Sequence, residues 1–118
     1  MSIKQTIKVT QGNARPDFFD VIRYPKNSDI TLTGATVTWN LEKSDGTAVV
    51  TDRACAIVIT DTVGVKKEIA WSENTESTDF ADLGDLCPFL KVTYADSDVE
   101  TIRLFDEWQI EVCAEGCA

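Results

Sequence analysis

The side chains in this 118-residue chain whose type and spacing could do chemistry are carboxylates. Asp79, Asp82 and Asp85 recur every three positions, and Asp96, Asp98 and Glu100 every two, so either set could bring acids together. Two such acids cleave a glycosidic bond only across a cleft that holds the sugar. A chain of 13.0 kDa has little material for one. The same oxygens could hold calcium, but the run from Asp96 to Glu100 lacks the EF-hand spacing and its glycine and reads as a solvated turn. There is no histidine, which removes the usual general base and the Ser-His and Cys-His nucleophile pairs. The six glycines are scattered and form no phosphate loop. The expectation is a chain that is not an enzyme and uses no cofactor and no metal.

Cys55, Cys87, Cys113 and Cys117 do not pair as CxxC knuckles, so a zinc site is not expected either. All four are expected as free thiols, with Cys55 and Cys87 as small apolar strand residues. A Cys113–Cys117 bridge would need the last residues to curl back, and a reducing cytoplasm would disfavour it.

The stretch from Ile30 to Val50 is the clearest of the elements that must carry these residues. Ala35, Val37, Trp39 and Leu41 alternate with Thr36, Thr38, Asn40 and Glu42, the period of a strand with one face on a core and one in water. Asp45-Gly46 then turns the chain, and Ala48 to Thr51 runs back as the second arm of a hairpin. Ser2 to Thr10 alternates weakly around lysines and suits a sheet edge. Phe18 to Tyr24 is strand-like with two apolar faces: Phe19, Val21 and Arg23 on one, Phe18, Ile22 and Tyr24 on the other. Ala54 to Asp61, Val65 to Trp71, Cys87 to Ala95, Val99 to Phe105 and Trp108 to Val112 are further strands. Lys67 interrupts the apolar face of Val65, Ile69 and Trp71. Between Ser72 and Asp85 one helical turn is expected, capped by Ser77 or Thr78, with Phe80, Ala81 and Leu83 folding inward. That linker carries Glu73, Glu76, Asp79, Asp82 and Asp85 with no balancing base of its own. Seven to eight short strands with no crossover helices point to an all-β, antiparallel sandwich. Trp39, Trp71 and Trp108 are expected as its core anchors rather than as a stacking platform for ligands.

The formal charge is −9. Residues 1–34 hold five bases against three acids, a net of +2, which leaves −11 on the remainder. An acidic body repels phosphate, so direct binding of nucleic acid is not expected. No apolar run is long enough to span a membrane, and the first ten residues lack the apolar centre of a signal peptide. A soluble protein made in a cytoplasm is therefore expected.

The order of these features resembles a known family. Leu32 to Ala35, Trp39, Leu41, Asp45, Gly46, Gly64, Trp71, Tyr94 and Thr101 match the pattern of the immunoglobulin-like β-sandwich at the N-terminus of upper-baseplate proteins of tailed phages, over about residues 28 to 113. Cys87-Pro88 and Asp96-Ser97-Asp98 stand where that pattern has a Gly and an Asp-Gly. The resemblance implies an immunoglobulin-like sandwich over residues 28–118 behind a leader strand or arm over residues 1–27. It also implies a non-enzymatic virion protein of the tail or baseplate that binds other virion subunits and copies of itself. Phe18, Phe19, Ile22 and Tyr24 are then the candidate partner-binding residues, with a first strand of the domain's own core as the competing reading. A capsid decoration (cement) or head-fibre base protein is the alternative placement. A carbohydrate-binding module, in which exposed Trp or Tyr stacks on a glycan, is the alternative class.

Overall fold

A computed structural model describes residues 5–14, 17–103 and 108–114, with Gln5 and Trp108 as backbone alone. Among the described residues, nine strands, those of the expected leader included, form two sheets. They are β1 (Gln5–Thr10), β2 (Phe18–Arg23), β3 (Thr36–Lys43), β4 (Ala48–Ala54), β5 (Ala56–Thr62), β6 (Lys66–Glu73), β7 (Gly84–Thr93), β8 (Val99–Arg103) and β9 (Trp108–Cys113). A single 3-10 turn, Ser77–Phe80, lies between β6 and β7. One sheet has the order β1-β9-β7-β3-β4, with β8 also on β7; the other has the order β2-β6-β5. The pairings are antiparallel except β1 with β9, which run parallel. The architecture is the β-sandwich expected from the strand pattern, and residues 5–10 and 18–23 of the expected leader are strands hydrogen-bonded into its two sheets.

The core lies between the sheets and follows the alternation read from the sequence. Ala35, Val37, Trp39 and Leu41 of the hairpin are buried and face Ile69 and Trp71 of the opposite sheet, with Leu90, Val92 and Ile110 beside them. Phe18 stacks on Trp39 at a centroid distance of 5.2 Å, and Trp39 meets Trp71 at 5.5 Å. Complete burial of each such side chain contributes about 1.5–3 kcal/mol. Trp39 and Trp71 are thus core anchors; the Trp108 side chain lies outside the described residues, as does the stretch from Leu104 to Phe105 expected to extend β8.

Four expectations are corrected. Asn40, assigned to the water-facing side of β3, is 2% exposed, and its Oδ1 accepts the Asp52 N–H at 2.9 Å. The helical turn is capped by Glu76 rather than by Ser77 or Thr78, and Glu76 and Asp79 bond reciprocally to each other's backbone. Only Phe80 of the three residues expected to fold inward does so, since Ala81 and Leu83 face solvent. Cys113 is disulfide-bonded rather than free, whereas Cys55 and Cys87 are free thiols.

Candidate functional site

The two acid sets, Asp79-Asp82-Asp85 and Asp96-Asp98-Glu100, are taken apart by the fold. Asp79 is drawn to Arg53 of β4, whose Nη1 and Nη2 reach its two oxygens at 2.5 and 2.8 Å. Asp82 pairs with Lys43 at 2.9 Å, and Asp85 is exposed. Asp96 Oδ1 accepts the Asp98 N–H within the β7–β8 turn, while Glu100 Oε1 accepts the Tyr94 hydroxyl at 3.0 Å. Among the described residues, no three potential ligands gather around a point that could hold a metal ion.

Arg53 is the base that the acidic linker lacks in its own sequence. It also lies 3.3 Å from Glu76 and 3.5 Å from the buried Glu73 Oε2, a separation at which the attraction is of charge rather than a hydrogen bond. The Asp79 hydrogen bonds, against an opposing loss of hydration, raise the Arg53 pKa further above its usual range. Burial raises that of Glu73 despite the Thr75 hydroxyl at 2.8 Å and the Arg53 charge. Burial likewise pushes the Cys55 thiol up to about 12, so this cysteine is chemically inert near neutral pH. This cluster ties β4 to the β6–β7 linker and is a structural crosslink.

The four candidate partner residues divide between inside and outside. Phe18 is buried on Trp39, and Ile22 and Tyr24 pack against the core. The Tyr24 hydroxyl lies 2.9 Å from that of Tyr94, and burial raises both pKa values. Phe19 alone of the four points outward, 75% exposed. Antiparallel register places it in a row with Ser72 of β6 and Ala56 of β5, and the next outward row is Val21, Ala70 and Val58. The small Ala70 and Ser72 on the central strand, between Phe19 and Val21 on one side and Val58 on the other, leave an open trough of about 290 Å³. Beyond it the surface is charged and self-paired, with Arg23 and Lys66 both bonded to Glu68 at 3.3 and 2.9 Å. Sequence reasoning found Phe19 and Val21 through their alternation. It missed Val58 and Ala70, because which outward rows adjoin depends on the pairing of β2 with β6, about fifty residues apart.

Comparison with protein-family models finds no match, and comparison with curated proteins finds none. Among solved structures, the chain is similar to CopC from Methylosinus trichosporium OB3b, at 10% sequence identity over 96% of this chain and 88% of that one, with a TM-score of 0.41.

Proposed function

We propose that this chain is a non-enzymatic structural protein of a phage virion, a β-sandwich attachment module of the tail or baseplate that binds other virion subunits. The observation that carries the reading is the apolar trough on the outer face of β2, β6 and β5, with an aromatic ring held in water at its rim. Exposed apolar patches of this kind mark interaction surfaces, and buried aromatic anchors supply most of the binding energy where such surfaces dock. The pattern shared with baseplate sandwiches supplies the kind of partner. A glycan platform has less support, since Trp39 and Trp71 are closed off from solvent.

Phe19→Ser is the test, because the ring is solvent-exposed and its loss leaves the core intact. Removal of an aromatic anchor costs about 2 kcal/mol or more, roughly thirtyfold in affinity. Purified particles assembled with the variant should therefore carry clearly fewer copies of the chain than wild-type particles. Unchanged occupancy would overturn the role of this face. Imaging of the chain on intact particles separates a tail position from a capsid-decoration or head-fibre position.

A further inference from the structure

A sheet edge exposes unpaired N–H and C=O groups and is a template for another strand unless it is guarded by lysine, proline, inward charge or a bulge. Most edges of this sandwich carry such a guard. Lys8 interrupts β1 between Ile7 and Val9. The Asp20 carboxylate accepts the Val21 N–H within β2 at 2.8 Å, and Pro25 follows that strand. In β4, Asp52 adopts φ +51 and the register against β3 shifts there. β8 carries Glu100 and Arg103.

β5 is different. Its sequence is AIVITDT, with no Lys, Arg, Pro or Gly, and its register with β6 runs without a break from Ala56↔Ser72 to Thr62↔Lys66. Asp61, its one charged residue, turns inward and guards only the far end of the strand, leaving Ala56 to Thr60 without such a device. It lies 3.2 Å from Lys67 and accepts the Leu32 and Thr33 N–H groups at 3.0 and 3.1 Å. Those donors and the Lys67 ammonium, outweighing its partial burial, hold the Asp61 carboxyl below its ordinary value. Among the described residues, no backbone group of another segment pairs with the outer side of β5. From Ala56 to Thr60, a β-branched edge without formal charge is therefore open on a molecule of net charge −9.

We infer that β5 pairs antiparallel with β5 of a second copy of this chain across a two-fold axis through Val58. Opposed residues of antiparallel strands share a face. The pairing thus sets Val58 against its own copy and Ala56 against the copy's Thr60 on the outer face, and Ile57 against the copy's Ile59 on the inner. This register uses only the uncharged part of the strand and stops short of Asp61, where the Leu32–Thr33 segment lies. The two three-stranded sheets become one of six strands, and their apolar troughs lie on a single continuous face. An identical copy is the occupant because each apolar residue here meets an apolar or small one from the same five positions, and because two strongly acidic molecules meet with least repulsion where neither carries charge. The inference deepens the attachment reading by naming how copies join, and it is tested on isolated protein, so its failure leaves attachment to a different subunit standing.

Sedimentation of the full chain is expected to give twice the 13.0 kDa chain mass. A contact this short belongs to the weak class below about 1,200 Å², so measurement should extend to high micromolar concentration. Val58→Lys, at a position 70% exposed, should give the monomer mass, and Val63→Lys, at the exposed β5–β6 turn, should not. Residues directly opposite on paired strands have Cβ atoms about 4.5–5.5 Å apart. Val58→Cys should therefore oxidise to a covalent dimer, and Ser72→Cys on the neighbouring strand should not. A monomeric wild type, a dimer that survives Val58→Lys, or cross-linking equal at the two cysteine positions would each overturn the pairing.

Discussion

Between Val50 and Arg53, β4 carries one residue more than β3 opposite it, and that insertion turns the Arg53 guanidinium inward. Strict alternation from the buried Val50 would point Asp52 inward and Arg53 to water. Instead Asp52 takes a left-handed conformation, its N–H bonds to the buried Asn40, and Arg53 comes opposite Trp39, facing the acids of the linker. Three carboxylates then share one base, and Glu73 is the one burial leaves least satisfied. Its pKa lies above the ordinary 4.5, with burial as the largest cause. An acid raised in this way holds its proton more tightly when folded. Its contribution to stability is full below the unfolded value and is lost as pH rises through the folded one. Asp45 and Asp61 run in the opposite sense: lowered from 3.8, they stabilise above that value and lose the effect as pH falls. Glu73→Gln fixes the neutral form and leaves those two in place. Urea unfolding of variant and wild type should therefore show a stability difference that moves in favour of the variant between about pH 4 and pH 7. A difference independent of pH would mean that the fold does not tighten the hold of Glu73 on its proton.

At the scale of elements, the β3–β4 hairpin was the most legible part of the sequence. Both of its glycines adopt positive φ, +88 at Gly34 and +90 at Gly46, so alanine at either should cost about 1–2 kcal/mol. The two differ in surroundings. A Cβ at Gly34 would lie 3.1 Å from Ala95 Cβ, and one at Gly46 would meet no atom closer than 4.0 Å. Gly34→Ala should thus lower the melting temperature more than Gly46→Ala, and adding Ala95→Gly should recover the excess alone. Alternation encodes faces well wherever pairing is regular, which is why Trp39, Leu41, Leu90 and Val92 were found in the core. It fails at a bulge, as at Arg53, and where a charge is satisfied from afar. Lys67 reads as an interruption of β6, yet it is buried on the apolar face, where its ammonium donates to the Ile30 carbonyl and pairs with Asp61. Of the candidate site, Phe19 and Val21 were readable, but the trough they border needed the register of three strands.

For the molecule as a whole, the charge of −9 sets the terms of association. Two such bodies repel at low ionic strength, and the β5 contact contains no ion pair that salt could weaken. Screening acts within about 10 Å at 0.1 M and more tightly above it, so the dimer should tighten as sodium chloride is raised. Weakening with salt, read by sedimentation, would point instead to charged contacts. The pairing of the first and last strands has a mechanical consequence. β1 and β9 run side by side in the same direction through six residue pairs, Gln5↔Trp108 to Thr10↔Cys113. Tension applied ahead of Gln5 and beyond Cys113 would pull these neighbours lengthwise past one another. All the bonds between them would then be loaded together in shear, instead of opening one at a time like a zip.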